Sequence, residues 1–78
     1  MIPDVTHFEI LSDYEIKVSL SNGKRGIFDV KPYLERGIFR ELKDYSYFKR
    51  ARIEFGTLTW PNDQDFSPET IEIKMKQV

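Results

Sequence analysis

Tyr14-Glu15-Ile16-Lys17-Val18-Ser19-Leu20-Ser21-Asn22-Gly23-Lys24 is the stretch on which the fold turns. Its first seven residues alternate apolar and polar without a fault, the period of a strand with one face on a core. Tyr14, Ile16, Val18 and Leu20 are expected on that core face, with Glu15, Lys17 and Ser19 in water. Asn22-Gly23 then reads as a type I′ hairpin turn, because both central positions of that turn need positive φ. A return strand runs from Lys24 to Asp29.

Working outward, Val5, Phe8, Ile10 and Leu11 give residues 4–11 the character of an earlier strand that ends on the Ser12-Asp13 turn. Three consecutive strands form an antiparallel meander. Beyond Asp29 the period changes. Pro32 suits the first turn of a short helix and Gly37 its stop, with Tyr33 and Leu34 packing inward. A second helical piece spans Ile38 to Leu42. Asp44 to Phe48 reads as irregular, with Tyr45, Tyr47 and Phe48 covering a core edge. Lys49 to Phe55 returns to a period of two, placing Ala51, Ile53 and Phe55 on one face and Arg50, Arg52 and Glu54 on the other. Gly56-Thr57 reverses the chain into Leu58-Thr59-Trp60, and Pro61-Asn62-Asp63 ends that strand. Ser67, Pro68 and Glu69 are a cap, a first-turn proline and a dipole-matched carboxylate. Ile71 to Met75 alternates like a strand, but the cap favours a helix of one to two turns with a frayed end. The expectation is one α+β domain over residues 1–78. It has a small, mainly antiparallel sheet in the order β-β-β-α-β-β-α, with short helices packed on it.

Composition narrows the function classes. Apolar residues make up 40% of the chain and aromatics 14%, enough to fill a small core with rings. A chain of this length buries only about 60% of its unfolded surface, so its stability is modest. Cysteine is absent, which excludes disulfides, thiolate zinc sites and a cysteine nucleophile. With no signal-peptide pattern and no membrane-length apolar run, a reducing cytoplasmic setting is expected. The net charge of −1 is unevenly spread. Residues 36–52 hold six basic and two acidic side chains, a local +4. The segments before and after it carry −2 and −3. Alternation of this kind is the ordinary pattern of a soluble surface.

An ordered set of residues points to a family. Gly23, Ile27-Phe28-Asp29-Val30, Pro32 and Gly37-Ile38-Phe39 come first, with Leu42 and Phe48. Gly56-Thr57-Leu58, Trp60-Pro61-Asn62, Asp65 and Ser67-Pro68-Glu69 complete it. The chain resembles the small bacterial family called domain of unknown function 2442 over nearly its whole length. The resemblance implies a compact α+β domain, found alone or ahead of a helix-turn-helix domain. It also implies an antitoxin-like member of a two-protein bacterial system. This chain stops at Val78 and is read as lacking the helix-turn-helix. Some relatives carry a label tied to molybdenum-cofactor nucleotide chemistry. Gly23, Gly26, Gly37 and Gly56 form no phosphate-cradling loop, so no cofactor is expected.

No residue cluster spells out a reaction. His7 stands between Thr6 and Phe8 without a metal or catalytic companion. Asn62, Asp63 and Asp65 lack the spacing of a calcium loop and read as turn formers. Asp29 reads as a helix cap or turn-closing carboxylate rather than a general base. Neither a metal site nor a catalytic site is expected. The leading expectation is a non-catalytic adaptor or partner-binding module that engages another protein through Tyr45, Tyr47, Lys49, Arg50, Arg52 and Trp60, since Trp, Tyr and Arg are enriched at binding hot spots. The alternative is a nucleic-acid-binding domain that uses the basic region 36–52, with the aromatics stacking on bases. An isoelectric point near 5.8 weighs against it. An enzyme with an unrecognised site ranks third. Membrane association is not expected, and self-association is left open.

Overall fold

The computed structural model describes residues 2–78. Strands β1 (Val5–Ile10), β2 (Glu15–Leu20) and β3 (Arg25–Asp29) form the expected meander. β2 pairs antiparallel with both neighbours, with Ile16 opposite Ile10 and Phe28. A bulge between Val5 and His7 shifts the register of β1. Ile16, Val18 and Leu20 are buried as the alternation requires. Tyr14 is not in the strand. It sits in the β1–β2 turn with φ +60, and its ring packs edge-on against Phe48 at 5.2 Å.

The β2–β3 turn differs from the expected type I′. Only Gly23 has positive φ there, at +88. The Gly23 N–H donates to the Leu20 carbonyl at 3.0 Å, and the Leu20 N–H donates to Lys24 at 2.9 Å. This is a three-residue loop ending on a left-handed glycine. Asn22 turns its side chain to other work, accepting from the Lys24 N–H and donating to Glu72. The two-residue turn with positive φ at both positions lies instead at Phe55-Gly56 (φ +52 and +76), between β4 (Arg52–Glu54) and β5 (Thr57–Thr59).

Between β3 and β4 the chain makes a 3₁₀ turn at Lys31–Tyr33, a 3₁₀ helix at Gly37–Lys43 and a one-turn helix α1 (Tyr45–Phe48). The segment expected to be irregular is therefore helical. Asp44 caps it, its carboxylate accepting from the Ser46 N–H at 3.0 Å. Gly37 does not stop a helix. It has φ +45 and opens the second 3₁₀ segment.

Two further strands complete the molecule. β6 (Asp65–Phe66) pairs with β5, and β7 (Lys76–Gln77) pairs with β3. The single expected sheet is thus two antiparallel sheets, ordered β1-β2-β3-β7 and β4-β5-β6. They meet through their apolar faces, with Phe28 of the first in edge contact with Phe66 of the second at 4.9 Å. Helix α2 (Pro68–Lys74) runs as its cap predicts: the Ser67 hydroxyl accepts from the Thr70 N–H at 3.2 Å, and Ile71 is fully buried. At Met75 the backbone becomes extended and leads into β7, so the alternation of Ile71 to Met75 is a coincidence of a short helix.

The core is a run of ring contacts. Phe39 stacks on Phe66 at 4.9 Å, Phe66 meets Trp60 at 5.8 Å, and Trp60 stacks on Phe48 at 6.0 Å. Such pairs add about 0.5–1.5 kcal/mol each beyond area burial, which matters in so small a core. Among the described residues no helix is long and apolar enough to cross a membrane.

Candidate functional site

The segment from Tyr45 to Arg52 divides between core and surface. Capping by Asp44 sets α1 so that Tyr47 and Phe48 point inward, while Tyr45 stays at the rim and donates its hydroxyl to the Leu11 carbonyl at 2.7 Å. Lys49 lies over the Tyr45 ring at 5.7 Å, and the Arg50 guanidinium lies over the Tyr47 ring at 5.9 Å. Arg52 points outward from β4 and pairs with Glu54 at 3.4 Å. Trp60 is 1% exposed, and its indole N–H donates to the Phe48 carbonyl at 2.8 Å. Of the six residues singled out from the sequence, Tyr45, Lys49, Arg50 and Arg52 reach the surface. Tyr47 and Trp60 are buried and hold it from beneath.

One exposed residue was missed by sequence reasoning. Phe55 was expected on the core face with Ala51 and Ile53. Those two do pack partly against the core, but the strand ends at Glu54 and Phe55 occupies the hairpin tip, 104% exposed. Its φ of +52 is a conformation that bulky side chains resist. The signal available in the sequence was Gly56: a two-residue hairpin turn places a glycine second, so the residue before it belongs to the turn rather than the strand. Behind the tip, the Gly56 carbonyl accepts from the Val5 N–H at 2.8 Å, tying the turn to the start of β1.

The polar residues after Trp60 form a clasp. The Trp60–Gln64 turn repeats the Leu20–Lys24 loop: the Asp63 N–H donates to Trp60, and the Trp60 N–H to Gln64. Asp63 takes the left-handed position at φ +72. Gln64 is 1% exposed, and its amide donates to the Ile38 carbonyl at 2.9 Å and to Glu41 at 3.0 Å. The Asn62 amide also donates to both Glu41 oxygens. His7 is exposed on β1 opposite Ser19, and the Asp29 carboxylate closes a turn onto the Lys31 N–H at 3.0 Å. Among the described residues no three His, Asp or Glu side chains gather in a metal-binding group.

The fold and these contacts define a small α+β domain whose Trp-Pro-Asn turn is a structural clasp and whose second hairpin carries an aromatic tip. The chain belongs to the family described as Protein of unknown function (DUF2442), whose model matches residues 5–76. No curated protein and no solved structure matches it.

Proposed function

We propose that this chain is a non-catalytic partner-binding module that engages another protein through the tip of the β4–β5 hairpin. The observation that carries the reading is Phe55, fully exposed at positive φ. A side chain in the left-handed region costs about 1–2 kcal/mol. An aromatic ring left in water adds no burial in return. The β4–β5 pairing and the Gly56–Val5 hydrogen bond hold the backbone in that conformation, but among the described residues nothing covers the ring, whereas insertion into a partner's apolar pocket would. Exposed Arg50, Arg52 and Lys49 lie on or just before the same hairpin, so the pocket is expected to be rimmed by carboxylates. The two-protein pairing that the family resemblance implies is an arrangement of this kind.

The test is a photo-crosslinking amino acid at position 55 in the native cell, compared with pull-downs by the wild type and by Phe55→Asn. A discrete protein crosslinked at 55, and lost from the Phe55→Asn pull-down while that variant stays folded, supports the reading. Crosslinks that nuclease treatment removes, crosslinks only to a second copy of the chain, or a capture profile unchanged by Phe55→Asn would each overturn it.

A further inference from the structure

A cleft of about 600 Å³ lies between the outer side of β2–β3, the segment 32–36 and the end of α2 with β7. Ile27, Pro32 and Tyr33 give it apolar surface, and three cations line it: Arg36, Lys74 and Lys76. Its volume lies within the range of about 300–1,000 Å³ occupied by small-molecule sites.

The cleft lining carries an excess of one positive charge, three cations against the two carboxylates of Glu15 and Asp29. Both carboxylates lie against Lys31, whose ammonium is 3.9 Å from the first and 3.1 Å from the second and also pairs with Asp13 at 3.3 Å. The acidic residues nearest the three cations in sequence are occupied as well. Glu35 holds Lys43 at 2.7 Å, and Glu72 holds Lys24 at 3.2 Å. Among the described residues Arg36, Lys74 and Lys76 make no ion pair. The Arg36 guanidinium lies over the Tyr33 ring at 5.6 Å, which limits its freedom and leaves its N–H donors at the cleft.

We infer that this cleft binds a small organic anion with at least two negative charges. Its oxygens would lie among Arg36, Lys74 and Lys76, and its apolar body against Ile27, Pro32 and Tyr33. The donors suit either a phosphate ester or a polycarboxylate, since a guanidinium grips both with paired N–H bonds. A motif search for glycine-rich loops could not find such a site, because its donors are side chains from two stretches of chain far apart in sequence, Arg36 on one, Lys74 and Lys76 on the other. The inference does not depend on the hairpin reading.

The test is an NMR titration of the full chain with adenosine monophosphate and, separately, with citrate, against sulfate at matched ionic strength. At least one organic anion is expected to saturate while sulfate does not, with shifts centred on Ile27, Tyr33 and Lys76. Which probe binds more tightly identifies the phosphate or the carboxylate source. Arg36→Gln and Lys76→Gln, checked for an unchanged melting temperature, are each expected to weaken binding roughly tenfold, the worth of one charged hydrogen bond. Arg40→Gln, at an exposed cation outside the cleft, serves as the control and is expected to bind as the wild type does. Failure of both organic anions to saturate, binding no better than that of sulfate, or equal weakening by Arg40→Gln would overturn the inference.

Discussion

The Tyr47 hydroxyl donates to the Gln64 side-chain carbonyl at 2.7 Å and accepts the Asn62 backbone N–H at 2.8 Å. One oxygen thereby ties α1 to the turn after β5, across a separation of 17 residues. Gln64 continues the path to Ile38 and Glu41 of the 3₁₀ helix. Among the described residues no buried side-chain polar atom is left without a partner, so the clasp is fully satisfied, the condition under which a buried polar network stabilises.

Tyr47→Phe keeps the ring but removes that oxygen. It leaves the Gln64 carbonyl and the Asn62 N–H without partners in a nearly dry site, at a cost of about 1–3 kcal/mol. Gln64→Ala removes three hydrogen bonds and opens a cavity, and is expected to cost more. Urea denaturation checks both; a Tyr47→Phe midpoint equal to that of the wild type would show that water replaces the hydroxyl and that the clasp is soft.

Gly23→Val is expected to lose about 1–2 kcal/mol, the cost of a Cβ at positive φ. A Cβ built at Gly23 meets nothing within 4 Å, so the loss is purely a backbone effect. Gly23→Asn, whose side chain tolerates the left-handed region, should therefore retain most of the stability. Equal losses for the two variants in chemical denaturation would mean that the turn rearranges rather than strains.

The meander was legible because β2 alternates strictly and Ile16, Val18 and Leu20 have a single way to be buried. The α2 cap was legible because Ser67-Pro68-Glu69 acts locally. The errors arose where a tertiary partner decides. Two-residue β6 and β7 exist only because β5 and β3 offer them an edge, and nothing in their own composition announces a strand. Asp44 to Phe48 folds into a helix through an aspartate cap that also resembles a turn residue. Asn22-Gly23 and Phe55-Gly56 both end in glycine, and choosing which one is the two-residue turn requires the strand register. For the candidate surface, residue type alone found Arg50 and Arg52. It could not separate exposed Tyr45 from buried Tyr47, two positions away on the same short helix.

Acid should weaken the junction between the β2–β3 loop and α2. Hydrogen bonds from Asn22, then from Lys24, hold the Glu72 carboxyl below its ordinary 4.5. Lys43 does the same for Glu35. A carboxylate whose folded value is depressed contributes stability above its unfolded value and loses it as pH falls through the folded one. Melting temperature should therefore decline below about pH 4.5, and Glu72→Gln should flatten part of that decline. At the other extreme, the hydrogen bond to Asp29 raises Lys31 above 10.5; desolvation opposes that rise, and Asp13 adds to it. That contribution is present below 10.5 and lost as pH rises through the folded value. A melting curve for Glu72→Gln that parallels the wild type from pH 3 to 7 would remove Glu72 from the account.

Phe55→Asn should make the isolated domain more stable while disabling it. Asparagine followed by glycine is the preferred pair for a turn with positive φ at both central residues, and Phe55-Gly56 is such a turn, at +52 and +76. Replacing a strained aromatic with asparagine is expected to gain about 0.5–1 kcal/mol, part of the cost of a bulky residue in the left-handed region. Phe55→Ala separates strain from contact. It keeps a Cβ at positive φ but removes the ring, and a fully exposed ring has no packing to lose, so its stability should lie within about 0.5 kcal/mol of the wild type. Partner capture should fail in both variants, because both lack the ring. Thermal denaturation of the two variants is the first measurement. If Phe55→Asn and Phe55→Ala both destabilise by more than about 1 kcal/mol, a size typical of lost packing, the ring makes contacts within the fold and the hairpin tip is structural. If both are as stable as expected and still capture what the wild type captures, the tip is free of function and its strain has no account.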